Sequence, residues 1–193
     1  MKVIDLSDWN EHVNWSHLID QHGVKGAIVK ISEGRTLTEL HGKHIAGAAA
    51  RGLPWGVYCY THAETVERAQ EEAEKVIEAL EALGYGTPAL GIWFDVEDPV
   101  VLRNTPEAIT AICSKFVSTC NGKGYSAGIY ANLYTFSDCI IVPALANYVP
   151  YWCAQYASEC NFSDIFPSAH LQGWQHTDGY VIDGVSYDMS EWY

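Results

Sequence analysis

Ala89-Leu90-Gly91-Ile92-Trp93-Phe94-Asp95-Val96-Glu97 is apolar for most of its length and ends on two acids. A strand this apolar needs cover on both faces, and a parallel sheet wrapped by helices provides it. Helix signals flank it. Downstream, Thr105-Pro106-Glu107 supplies an N-cap, a proline for the first turn and an early acid. The helix it opens turns Ile109, Ile112, Phe116 and Val117 inward and ends at Asn121-Gly122. Upstream, residues 64–83 place Val66, Ala69, Ala73, Val76, Ile77, Leu80 and Leu83 at helical spacing, with Gly84 as the stop. A further helix is expected over residues 39–51, closed by Gly52.

The same alternation runs along the chain. Strands are expected at residues 3–6, 26–31, 55–60, 89–96, 126–130, 151–156 and 171–175, with a last short one near 184–187. Strand-helix alternation implies right-handed βαβ units, which either an open sheet or a barrel satisfies. A nucleotide-binding sheet needs a Gly-rich loop after its first strand. Here Ser7-Asp8-Trp9-Asn10 stands there instead. The expected fold is therefore α/β: an irregular, shortened TIM-like barrel with a β-rich, helix-poor C-terminal third. The 193 residues are read as one domain, short of the ~250 a full barrel uses.

The formal charge of -13 argues against a nucleic-acid partner, because phosphate contacts need clustered Lys and Arg. It also opposes passive binding to anionic wall or membrane polymers. No run approaches the ~20 apolar residues of a membrane span, so membrane insertion is not expected. Met1-Lys2-Val3-Ile4-Asp5 reads directly into a strand rather than a secretory signal. The six cysteines form no C-x-x-C pair. Cys59 and Cys113 are expected to be buried, and Cys113 and Cys120 lie ~10 Å apart along one helix, too far to bridge. Cys153 and Cys160 could close a short disulfide loop. The pair His41 and His44 is expected on an outward helix face, with no H-E-x-x-H motif and no metal site.

Barrel active sites form at the C-terminal strand ends. Those ends would gather Asp5, Glu33, Tyr60, Asp95, Glu97, Tyr130, Tyr156, Gln175 and Asp188 at one mouth. Paired carboxylates and flat aromatic faces suit glycoside hydrolysis, which needs one protonated acid and a second carboxylate as base, nucleophile or stabiliser. Asp95 and Glu97 are two apart on one strand, ~6.6 Å along the chain, so they should share a face and perturb each other. Glu97, longer and further out, is the expected general acid.

Eight segments, in order, resemble glycoside hydrolase family 25, the Chalaropsis-type lysozymes. They are Asp5-Leu6-Ser7-Asp8-Trp9 with Trp15 after it, Lys30-Ile31-Ser32-Glu33-Gly34, Gly56-Val57-Tyr58-Cys59-Tyr60, Asp95-Val96-Glu97, Gly128-Ile129-Tyr130, Trp152-Cys153-Ala154-Gln155-Tyr156, Trp174-Gln175 and the closing Asp188. The segment Arg35-Thr36-Leu37-Thr38-Glu39-Leu40 departs from the family's usual Asp and aromatic.

The resemblance implies a muramidase that cleaves the β-1,4 bond from N-acetylmuramic acid to N-acetylglucosamine in a peptidoglycan strand, without a cofactor. By position, Glu97 would be the general acid and Asp95 its stabilising partner, with Asp5 and Asp188 beside them. Tyr60, Tyr130, Trp152, Gln175 and Glu33 would contact substrate, with Glu33 also paired to Lys30. The resemblance extends to phage endolysin catalytic domains. Synthesis in a bacterial cytoplasm and action on the wall are expected, with a holin or an appended wall-binding module as partner. A zinc amidase and a non-catalytic sugar-binding module are the rival readings.

Overall fold

The computed structural model describes residues 1–193. In chain order the elements are β1 (Lys2–Leu6), α1 (Trp15–Asp20), β2 (Gly26–Glu33), β3 (Thr36–Leu37), α2 (His41–Ala49), β4 (Trp55–Tyr60), α3 (Val66–Leu83), β5 (Ile92–Asp95), α4 (Pro106–Gly122), β6 (Ala127–Asn132), α5 (Leu133–Asp138), β7 (Pro150–Ala154), α6 (Phe162–Ile165), β8 (His170–Ile182) and β9 (Val185–Trp192). All strands but β3 close into a barrel, in the order β1-β2-β4-β5-β6-β7-β8-β9 and back to β1. The expected α/β barrel is present, and helices are indeed short in its last third: α5 has six residues and α6 four. No helix is long and apolar enough to cross a membrane.

Local chemistry sets the two long helices. The Thr65 side chain accepts from the Arg68 N–H to open α3, and Gly84 at φ 69° ends it in the left-handed region that favours glycine. Thr105 accepts from the Ala108 N–H to open α4, with Pro106 at its start.

Side chains alternate across the barrel wall. Ile4, Leu6, Val29, Val57, Ile92, Phe94 and Ile129 belong to the large cluster between barrel and helices. The Phe94 ring stacks on Phe116 of α4 at 4.2 Å. Val3, Ile28, Trp93, Tyr130, Trp152 and Trp192 form a second cluster inside the barrel. Each of Trp93, Trp152 and Trp192 meets the other two edge-on, with ring centres 5.2–5.9 Å apart. Their bulk needs empty positions opposite. A Cβ on Gly128 would lie 2.5 Å from Trp93, and one on Gly173 would lie 2.5 Å from Trp192. The buried indoles stay satisfied: Trp93 donates to the Leu90 carbonyl at 2.7 Å, and Trp152 to the Ser190 hydroxyl at 3.0 Å. This plug fills the lower barrel and leaves the mouth open above it.

Several expectations need correction. The last strand is eight residues long, not a short one, and runs antiparallel to both β8 and β1. Asp188 therefore lies within β9, directly opposite Asp5, rather than at a strand tip. The seventh predicted strand, 171–175, is part of the 13-residue β8, which pairs with β9 as a hairpin. His44 is buried rather than outward, because its Nε2 lies 3.2 Å from the Ser7 carbonyl. All six cysteines are free thiols, so Cys153 and Cys160 form no disulfide; the Cys153 thiol donates to the Ala154 carbonyl at 3.7 Å instead.

Candidate active site

The barrel mouth is a cleft of about 450 Å³ lined by Asp5, Tyr58, Tyr60, Asp95, Glu97, Tyr130, Trp152, Gln175 and Asp188. Eight of the nine residues expected to act in catalysis or contact substrate line it. The ninth, Glu33, does not. Its carboxylate is taken by Lys30 at 2.7 Å and by His62 at 3.3 Å, and it faces a neighbouring hollow with Asp8 and Thr36. Strand β5 stops at Asp95, so Glu97 stands in the loop just beyond rather than on the strand. A second hollow lined by Ser7, Trp9, Asn10, Asp178 and Ser186 shares Asp5, Tyr58 and Asp188 with the first. Together they make one trough across the mouth, with Trp9 93% exposed at its edge.

Gln175, 2% exposed, organises the acids. Its amide nitrogen donates to Asp5 at 2.8 Å and to Asp188 at 3.3 Å. Its oxygen accepts from the Tyr130 hydroxyl at 2.8 Å and from Tyr156 at 3.0 Å. Every polar atom of the amide is thus used, which fixes its orientation. Two carboxylate oxygens, Oδ1 of Asp5 and Oδ1 of Asp95, are buried with no partner. Such atoms are costly to leave unpaired and mark where a ligand donor can bind.

Burial and crowding raise all four carboxyls. Asp95 is held well above the ordinary range by burial and by Glu97, with Lys30 opposing. Glu97 is raised by burial and by Asp188, while a hydrogen bond from Asn132 pulls it down. Asp5 is raised well by burial and by Asp188, against the Gln175 hydrogen bond. Asp188 is pushed up to about 6, by burial first and Asp178 second. Acids this close cannot all ionise, so the cleft holds protons where exposed carboxyls would have lost them.

The sequence model of "Glycosyl hydrolases family 25" matches residues 4–185. The chain belongs to this family. No curated protein matches by sequence search. Among solved structures, the modular autolysin LytC from Streptococcus pneumoniae, in complex with a synthetic peptidoglycan ligand, superposes with a TM-score of 0.87 at 26% identity. The match covers all of this chain but only 46% of the autolysin, so this chain spans about half the length of that relative. A family 25 glycosyl hydrolase from Bacillus anthracis (TM-score 0.80, 18% identity) covers 100% of this chain and 88% of its own. A muramidase from Trichobolus zukalii (0.80, 20%) covers 100% and 93%. These last two show the shared fold.

This family 25 chain also places residues at the mouth to which the sequence reading gave no role. Tyr58 is one, and its two-residue spacing from Tyr60 was the available signal, since alternate strand residues share a face. Asn132 is another, reached through Glu97, while Tyr156, already expected at the mouth, bonds Gln175. No three His, Cys, Asp or Glu side chains are grouped so as to hold a metal ion.

Proposed function

We propose that residues 1–193 form a single catalytic domain that hydrolyses the β-1,4 bond between N-acetylmuramic acid and N-acetylglucosamine in peptidoglycan. The observation that carries this reading is the pairing of buried Asp95 with half-buried Glu97 at the mouth of a family 25 barrel, backed by Asp5 and Asp188. Family membership and the LytC likeness support peptidoglycan as the substrate class.

In this reading Glu97 is the general acid. Burial and Asp188 keep its proton on, and its place beyond the strand end brings it to the leaving oxygen. Asp95 accepts the N–H of the substrate's N-acetyl group on its unpartnered Oδ1. That bond stabilises the Asp95 anion, so the proton the pair shares stays on Glu97. The oriented N-acetyl oxygen can then attack the sugar carbon, and water completes the reaction with retention. Asp188, held together with Asp5 by Gln175, supplies the negative field that stabilises the oxocarbenium-like transition state. Tyr60, Tyr130 and Trp152 offer ring faces and edges to the sugars.

Glu97→Gln tests the proposal. It keeps the shape of the side chain and removes the proton. Wall lysis should fall by about 10²–10⁴ with the fold intact. Unchanged lysis would refute the glycosidase reading. Binding to glycan by the unmodified chain without any bond cleavage would instead indicate a sugar-binding module.

A further inference from the structure

His62, on the loop after β4, meets a carboxylate oxygen at each ring nitrogen. Its Nδ1 contacts Oδ2 of Asp98, and its Nε2 lies 3.3 Å from Oε1 of Glu33. Each ring nitrogen thus faces a carboxylate acceptor, which holds the ring between the two acids. Three loops thus meet at one side chain: the end of β2, the loop after β4 and the loop after β5.

Asp98 is the residue next to Glu97. Its Oδ1 accepts from the Val100 N–H at 2.7 Å, and its Oδ2 is taken by His62. Both oxygens are pinned, so the peptide carrying Glu97 is anchored from the far side of the cleft wall. The anchor is itself braced. The His62 N–H donates to Glu72 at 3.4 Å, and the Thr61 hydroxyl donates to the same carboxylate at 2.7 Å. The His62 ring packs edge-on to Tyr60 at 5.4 Å, and Lys30 sits over the Tyr60 ring at 4.9 Å while binding Glu33. These are the charged and titratable groups that face it: Asp98, Glu33, Glu72, Tyr60 and Lys30.

We infer that His62 is a positioning residue for this enzyme: it straps the Glu97 loop to the β2 and β4 ends and so fixes where the general acid stands. The inference rests on the proposed role of Glu97. His62 itself is absent from the cleft lining, and its ring is 41% exposed. It acts by geometry. Asp188 and Asn132, rather than His62, set the charge environment of Glu97. The loop backbone stays bound to Glu72 without the ring, so removing the ring leaves the barrel in place and loosens only the strap.

The test compares His62→Ala and His62→Arg with the unmodified chain, using kcat and KM on soluble peptidoglycan fragments and thermal unfolding for each. Arg offers two donor edges that can reach Asp98 and Glu33 together. For His62→Ala the expected result is kcat lower by roughly 10- to 100-fold, as for a small misplacement of a reacting group, with KM within about twofold. His62→Arg should recover most of the lost kcat. Unchanged kcat in His62→Ala would overturn the inference, as would a loss explained wholly by unfolded protein or one that Arg does not restore. A Glu97→Gln control separates the two claims. If it abolishes turnover while His62→Ala does not, only the strap fails. If it leaves turnover intact, the role of Glu97 fails first.

Discussion

Glu97 and Asp188 belong to the cleft's coupled acids, and their coupling has a sign. The Asp188 charge raises Glu97, so Asp188→Asn should lower the Glu97 pKa. The alkaline limb of kcat/KM should then move to lower pH, as a pH–rate profile on soluble fragments would show. Stability follows the opposite interest. Asp188 is pushed up to about 6 in the folded protein, from an ordinary carboxyl near 3.8. The folded state therefore binds the proton more tightly than the unfolded chain does. Its stabilising share is complete below about pH 4 and is lost as pH rises through about 6. Asp188→Asn should accordingly raise the unfolding midpoint at pH 7, by ~2–4 °C for each kcal/mol of strain relieved, and change little at pH 4. Scanning calorimetry at both pH values checks this. A lower midpoint at pH 7 would mean the cleft stores no electrostatic strain.

At the scale of elements, the glycines opposite the tryptophan plug are as demanding as the acids. Gly128→Ala would set a Cβ 2.5 Å from both the Trp93 ring and the Pro150 carbonyl, and backbone cannot step aside as a side chain can. A loss of about 1–3 kcal/mol in urea unfolding is expected, in line with other overpacked cores. Gly122→Ala, with open space around its Cβ, should cost little by comparison. The helices were the most legible elements. Gly84, Thr105 and Pro106 act locally, so their signals survive without knowledge of the fold. β4 was read to the residue for a related reason, since its length and aromatic content suit a strand wherever it packs. β9 was misread because its pattern is inverted. Ser186, Asp188 and Ser190 alternate with Val185, Tyr187 and Met189, but here the polar set faces the barrel mouth and the apolar set faces outward to the main core. Ser190 and Asp188 find their partners in Trp152 and Gln175, which are distant in sequence. His44 was misplaced likewise, because its burial depends on a carbonyl 37 residues away. Glu33 carries the right chemistry at a strand end, yet Lys30 and His62 claim it first.

The whole molecule carries a formal charge of -13, and its trough is lined by acids. Bacterial walls that bear anionic polymers would repel it, and salt screens that repulsion over a Debye length of about 10 Å at 0.1 M. Lysis of intact walls should therefore rise between low and physiological ionic strength, whereas cleavage of short neutral glycans should not. Parallel turbidity and reducing-sugar assays would reveal the difference. An equal response of both substrates would remove the case for a separate wall-binding module. Which bond is cut separates a muramidase from every other wall hydrolase. Purified peptidoglycan should be digested, reduced with borohydride and analysed by mass spectrometry for its new chain ends. Reduced N-acetylmuramic acid is expected at those ends. Reduced N-acetylglucosamine, or newly freed stem peptides with intact glycan, would contradict it.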